Sequence, residues 1–171
     1  MDILYAPWRE NYTTTTAHGP QGQDTTNKDE CVFCAILKDP QDNKHYILTR
    51  TEHCFVILNK FPYNGGHLLV LPQEHKGNLT QLDLLIQAEL MHLISVSITA
   101  LEKELNPAGF NVGLNMGKAA GAGIPSHLHF HVLPRWIGDT NFLPTLSSTK
   151  TISTDLNQVY HKLKPHFIAK K

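Results

Sequence analysis

The sequence predicts an α+β fold: an antiparallel sheet of about five strands with one long helix packed on one face. Three observations carry this expectation. Short apolar runs bounded by turn formers recur along the chain. A single long segment repeats its leucines and isoleucines every three or four residues. The order is strand, strand, strand, helix, strand, strand, with little sign of the alternating βαβ units that build a parallel sheet.

Residues 1–12 carry the aromatic anchors Tyr5, Trp8 and Tyr12 around Pro7 and Arg9, and are expected to lie on the body as an arm. Residues 13–30 have almost no apolar content and read as a mobile polar surface loop. From Cys31 the chain has the composition of a packed body. His45–Leu48 and His53–Leu58 read as strands joined by a turn at Thr49–Glu52. Asn59–Gly66 is a connection rich in turn formers, and His67–Leu71 is a near-continuous apolar strand that belongs in the sheet centre. The long helix is expected from Thr80, with Thr80 and Asp83 as a reciprocal cap. Leu82, Ile86, Leu90, Leu93, Ile94, Ile98, Leu101 and Leu105 form its buried face, and Asn106-Pro107-Ala108-Gly109 stops it. Phe110–Asn115 and the histidine-rich segment after it are the last two strands, and residues 152–164 read as a short C-terminal helix. The expected organisation is an arm and loop over 1–30, one domain over 31–145 and an extension over 146–171.

Fifteen basic residues balance fifteen acidic ones among 171, which is not the footprint of a duplex-binding protein. No uninterrupted apolar run reaches the ~20 residues of a membrane span. The start Met1-Asp2-Ile3-Leu4-Tyr5 lacks the basic and apolar regions of a signal peptide, so the expected location is the cytoplasm, without membrane or nucleic-acid partners. Cys31-Val32-Phe33-Cys34 has a spacing used both for zinc and for thiol redox chemistry, although the strand and long helix of a thioredoxin-like context are missing around it. Cys54, inside an apolar strand, reads as a buried spectator.

The densest chemistry lies in Ser126-His127-Leu128-His129-Phe130-His131-Val132-Leu133-Pro134. Extended backbone has a side-chain period of two, so the three imidazoles share one face and the apolar residues share the other. Histidine serves as nucleophile, proton donor or metal ligand near neutral pH. The run follows Gly117-Lys118-Ala119-Ala120-Gly121-Ala122-Gly123, a loop whose glycines let backbone amides come close to an anion.

His127-Leu128-His129-Phe130-His131-Val132-Leu133 resembles the histidine-triad motif, and Gly66-His67 through Pro72-Gln73-Glu74-His75 resembles the second hallmark of the same family. Trp8-Arg9-x-x-Tyr12, Asn59-x-x-Pro62-Tyr63-Asn64-x-Gly66-His67 and Pro134-Arg135-Trp136-x-Gly138-Asp139-x-Asn141-Phe142 are similar to its bacterial diadenosine tetraphosphate phosphorylase-like branch. The resemblance implies a nucleotidyl hydrolase or transferase that cleaves phosphoanhydride bonds of dinucleoside polyphosphates. In that reading His129 attacks an α-phosphate, His131 orients and stabilises the charge, and His67 completes the pocket. Asn59 would contact ribose, and Asn115, Gly121, Gly123 and Ser126 the phosphates. The chain departs from the family just before the triad. Ala122-Gly123-Ile124-Pro125 stands where many members have Gly-Gln-Ser/Thr-Val, which leaves Ser126 as the nearest hydroxyl for the leaving group.

The resemblance also implies a structural zinc held by Cys31, Cys34, His75 and His127, the alternative being that His127 packs without metal. It implies a homodimer that extends the sheet across two subunits. Two competing functions stay open: an adenosine phosphoramidase-type hydrolase, and a nucleotide-binding regulatory protein without turnover.

Overall fold

The strands β1 (Ile47–Arg50), β2 (Cys54–Leu58), β3 (Leu68–Pro72), β4 (Gly109–Leu114) and β5 (Phe130–Arg135) form one sheet in the order β1-β2-β3-β5-β4, with every neighbouring pair antiparallel. This computed structural model describes residues 31–147, 151–152 and 154–167. The arm and polar loop expected over 1–30 lie outside the described residues. The helices are α1 (Val32–Lys38), α2 (Asp42–His45), the long α3 (Leu84–Leu105), α4 (Leu143–Ser147) and α5 (Leu156–Leu163).

Every residue of β2 and β3 is buried, because both faces of the sheet are covered. One face, with Leu48, Val56, Leu58, Leu68, Val70 and Val132, packs against α3 and α5. The other, with Ile47, Phe55, Ile57, Leu69 and Leu71, packs against Cys31, Phe33, Cys34 and Ile36 of the α1 segment. Helices on both faces explain why these strands read as unbroken apolar runs rather than alternating ones. Arg50 ties α1 to the sheet: its guanidinium donates to the carbonyls of Ile36, Leu37 and Asp39 at the helix C-terminus and to the Asp42 carboxylate. A cation there satisfies carbonyls that have no intrahelical partner.

Several boundaries differ from the sequence expectation. The first strand begins at Ile47 rather than His45, because residues 42–45 form a helical turn that Tyr46 ends in the left-handed region (φ 59°). The long helix begins at Leu84, not Thr80. Asn78 takes the capping role instead, accepting from the Thr80 N–H at 3.0 Å and starting a short 3-10 turn over Leu79–Gln81. Leu82 is buried between the two helical pieces, so it kept the period while lying outside α3. Asn106 (φ 45°) stops the helix before Pro107. By length and mean composition α3 is apolar enough to cross a membrane, although Gln87, Glu89 and His92 interrupt its apolar run; Ile86, Leu90, Leu93, Ile94, Ala100 and Leu101 are buried in the core.

The C-terminal segment is more firmly built in than its loose composition suggested. Val159, Tyr160 and Leu163 of α5 join the core, and Tyr160 and Lys164 both donate to the Ile47 carbonyl, at 3.3 and 2.9 Å. That contact protects the β1 edge. The opposite edge, β4, is largely exposed.

Candidate active site and metal centre

Of the three motif histidines only His131 lies in β5; His127 and His129 sit in the extended segment just before it. Before Phe130 the segment leaves the ladder, and Gly77 permits its close approach. The Pro125 carbonyl comes so close that a Cβ on residue 77 would lie 2.3 Å from its oxygen. The Leu128 N–H donates to the Lys76 carbonyl at 2.8 Å instead of a strand partner. The extended backbone still alternates, so the period argument holds without a ladder. Leu128, Phe130 and Val132 face the α3 side, while the histidine rings lie against the Phe33 side.

His129 is buried and its Nδ1–H donates to the His127 carbonyl at 2.8 Å. This fixes the tautomer and leaves the lone pair on Nε2. Burial holds its pKa below the ordinary histidine value. His67 and His131 form a relay whose tautomers follow from their partners. The Asn59 Oδ1 accepts from the Phe61 N–H, which orients the amide, and its Nδ2 donates to His67 Nδ1 at 3.3 Å. The Tyr63 N–H donates to the same Nδ1 at 3.1 Å. Two donors on Nδ1 place the His67 proton on Nε2, which donates to His131 Nδ1 at 2.9 Å. His131 therefore carries its proton on Nε2, a buried atom without a partner among the described residues. Burial first, then the neighbouring rings, pulls His67 down to about 3 and His131 to about 4. The His67–His131 pair is neutral at neutral pH and offers an N–H beside the neutral His129, with 5.1 Å between the ring centroids of His129 and His131.

The four residues expected to hold metal converge. One donor atom each from Cys31, Cys34, His75 and His127 lies within 4.8 Å of all the others. His127 Nδ1 is 3.5 Å from Cys31 Sγ and 3.6 Å from Cys34 Sγ, and His75 Nδ1 is 3.4 Å from Cys34 Sγ. Zinc bonds of about 2.3 Å to sulfur and about 2.0–2.1 Å to nitrogen, arranged tetrahedrally, separate S from N by roughly 3.5–3.6 Å. These three S–N distances match the corresponding edges of that tetrahedron. His127 Nε2–H donates to the Pro72 carbonyl at 2.9 Å, which frees Nδ1 as a ligand in the way metal-bound histidines are usually held. The donor set thus fits a closed structural zinc site. Cys54 is separate from it, a buried thiol pushed up to about 12 by burial and by Glu89.

Phe33 joins the two centres. It stands between the cysteines, is buried, and places its ring 5.4 Å from both the His127 and the His129 ring centroids. Sequence reasoning passed over it, and over Tyr63, whose ring stacks on His131 at 5.6 Å. The position of Phe33 inside C-x-x-C, two residues after Cys31 and one before Cys34, was the available signal. Asn59 is in the site, as expected, although here its amide is engaged with His67 and its own loop. The Ser126 Oγ is buried with no partner among the described residues. Asn115 is half-buried at the end of β4, and Gly121 and Gly123 are exposed. Among the described residues no hydrogen bond joins these three to His67, His129 or His131.

The family model described as HIT domain matches residues 40–136, more than half of the chain. An AP-4-A phosphorylase of Mycobacterium tuberculosis is 37% identical over 154 residues, which cover 89% of this chain and 77% of that protein. An adenylylsulfatase of Arabidopsis thaliana is 29% identical over 113 residues, covering 66% of this chain and 56% of that protein. A crystal structure of a zinc-bound histidine triad family protein from Mycobacterium smegmatis has a TM-score of 0.66 and 29% identity, covering 82% of this chain and 94% of that one. The match over residues 40–136 and the 37% identity over 154 residues make this chain a member of the HIT domain family.

Proposed function

We propose that this protein is a nucleotidyl transferase that splits dinucleoside polyphosphates by phosphorolysis, through a nucleotidyl group held on His129. The observation that carries the reading is the paired tautomers: an Nε2 lone pair on His129 beside an Nε2–H on His131. In the first step His129 Nε2 bonds to the α-phosphorus. The bond from phosphorus to the bridging oxygen breaks, and its electron pair leaves with the nucleoside polyphosphate. His131 Nε2–H stabilises charge on the phosphate oxygens, as a preorganised donor does. In the second step an oxygen of inorganic phosphate bonds to the same phosphorus, and the N–P bond returns its pair to His129. Diadenosine tetraphosphate would give ADP and ATP.

The departure before the triad supports this class over a phosphoramidase. A terminal phosphate has a second pKa near ~6, so a nucleoside polyphosphate leaves as an anion at neutral pH, whereas an amine must be protonated. A leaving group of the first kind tolerates Ile124-Pro125 where a hydroxyl pair would otherwise stand. Asn59 is our ribose contact, and the amides of Gly121 and Gly123, with Asn115 and Ser126, are our phosphate contacts. Cys31, Cys34, His75 and His127 would hold zinc. When bound it supplies cross-linking only, since four protein donors leave no position for water or substrate. The open β4 edge, with Val112 and Met116 exposed, supports a homodimer joined along that strand.

The test is a panel of mononucleotide, dinucleotide and phosphoramidate substrates with and without inorganic phosphate. Production of ADP and ATP that requires phosphate supports the reading. AMP release unaffected by phosphate moves the assignment to a hydrolase, and no turnover of any member moves it to a nucleotide-binding protein.

A further inference from the structure

The end of β5 and the turn after it, Pro134-Arg135-Trp136-Ile137-Gly138-Asp139, have no part in the chemistry above, yet they carry a dense set of hydrogen bonds close to the site. The Asp139 carboxylate accepts five hydrogen bonds. Its Oδ2 takes them from Arg135 Nε (2.6 Å), Asn64 Nδ2 (2.8 Å) and the Trp136 N–H (3.1 Å). Its Oδ1 takes them from an Arg135 terminal nitrogen (2.9 Å) and the Thr140 hydroxyl (3.2 Å). The other terminal nitrogen of Arg135 donates to Asn111 Oδ1 on β4 at 2.7 Å. Asn64 is buried, and its Nδ2 also donates to the Pro134 carbonyl at 3.1 Å. The backbone of Asn64 meets the active site directly: its carbonyl accepts from the His67 N–H at 3.3 Å. Its chain neighbour Tyr63 supplies the N–H that sets the His67 tautomer.

We propose that Asp139 and Asn64 are positioning residues that hold the Tyr63 N–H on His67 and so dictate which nitrogen of His131 presents its proton to substrate. The Tyr63 ring packs on His67 and His131, and Gly65 and Gly66 are buried, but these are packing contacts that do not aim an N–H. The Asn64 side chain gives the loop over 59–66 its directional anchor, with the Asn59–His67 backbone pair at its base. A side-chain carboxamide anchored by a charged, bidentate Arg–carboxylate pair is a rigid tether, because Arg135 and Asp139 restrain each other in two parallel hydrogen bonds. Without the tether the Tyr63 N–H is free to leave Nδ1. His67 can then take its proton on Nδ1, and the pair loses the directional order Tyr63 to His67 to His131.

This inference rests on the catalytic reading of His131, but its principal test does not need turnover. The full-length chain labelled with 15N histidine distinguishes protonated from unprotonated ring nitrogens by NMR. In the wild type His67 Nδ1 and His131 Nδ1 are expected unprotonated, with protons on both Nε2 atoms. Asp139→Asn and Asn64→Ala should convert both rings to averaged signals. In turnover they should lower kcat by roughly 10- to 100-fold with KM within about twofold, the pattern of misplaced catalytic geometry. Asp139→Glu should recover part of the loss. Asp155→Ala, which removes the cap hydrogen bond to the Gln158 N–H of α5, serves as a control for destabilisation alone and should leave the histidine signals unchanged. Wild-type-like ring signals in folded Asn64→Ala overturn the proposal, even if Asp139 variants fail to fold. Averaged signals in Asp155→Ala overturn it too. If the wild type turns over no nucleotide, the function above fails while the ring signals still decide the positioning role.

Discussion

Phe33→Ala is the substitution that tests the link between the Cys/His cluster and His129, the proposed nucleophile. The ring is 5% exposed and lies 5.4 Å from both His127 and His129, at interplanar angles of 72° and 53°. Truncating a buried phenylalanine typically costs about 3–5 kcal/mol, the lost transfer energy plus the cavity left behind. Two edge contacts of this kind contribute about 0.5–1.5 kcal/mol each within that total. For a chain of this length each kcal/mol moves Tm by about 2–4 °C, so a fall of roughly 6–20 °C is expected. Phe33→Leu keeps most of the volume and loses the two ring contacts, so its loss should be about 1–3 kcal/mol, the sum of those contacts alone. Both variants release the wall behind His129. A displacement of about 1 Å in a reacting group can cost ~10²-fold in rate, so kcat should fall by at least tenfold even in Phe33→Leu. Denaturant unfolding at fixed metal concentration and steady-state kinetics read the two effects. A Phe33→Ala protein with less than about 1 kcal/mol of destabilisation and unchanged kcat would refute the coupling, since neither cavity nor displacement would then exist.

Three other outcomes are expected. Activity on the acid side should persist well below the ordinary histidine pKa, because His67 and His131 stay neutral down to about 3 and about 4; a pH profile of kcat breaking near the ordinary value would contradict this. Stability behaves differently, because a folded pKa held below the unfolded value of about 6.5 means the unfolded chain binds protons first. The contribution of these two groups is full above that value and declines as pH falls through it towards about 4 and about 3, which denaturation midpoints across pH will show. Chelation, or Cys34→Ser, should release a stoichiometric metal ion detectable by a colorimetric indicator and lower Tm sharply, since structural zinc contributes about 10–16 kcal/mol of binding energy in small domains. Gly77→Ala should destabilise by about 1–3 kcal/mol, the usual penalty of overpacking. The new methyl meets the Pro125 backbone oxygen at 2.3 Å and the Ser126 Cα at 3.2 Å, and neither is the end of a flexible side chain.

The central strands and the triad were readable because burial on both faces demands apolar runs, and because period-two alternation survives in any extended backbone. His127 and His129 keep their common face although they lie outside β5. The start of α3 was misplaced for a physical reason. Leu82 continues the helical period from a loop, and the Asn78 cap starts only a short 3-10 turn, while α3 itself begins after Asp83 without a side-chain cap hydrogen bond. Similarly, the turn over 42–45 was hidden because its stop signal is a left-handed Tyr46, a residue with no preference for that conformation. Within the site, residue types identified the groups with chemistry of their own. The groups acting through backbone N–H or packing, Tyr63 and Phe33, carry no such mark. The contact of Asn64 with Asp139 spans 75 residues and exists only once β5 has brought its far end beside the loop.

The stereochemical course at phosphorus tests most directly whether His129 bonds to substrate. Diadenosine tetraphosphate with sulfur at one α-phosphorus, of a single known configuration, yields an α-thio ADP whose diastereomer is identified by chromatography. Two in-line displacements, onto and off His129, each invert the centre, so net retention is expected, and His129→Asn should form no product. Net inversion, or product formation by His129→Asn at the wild-type rate, would contradict a nucleotidyl-histidine.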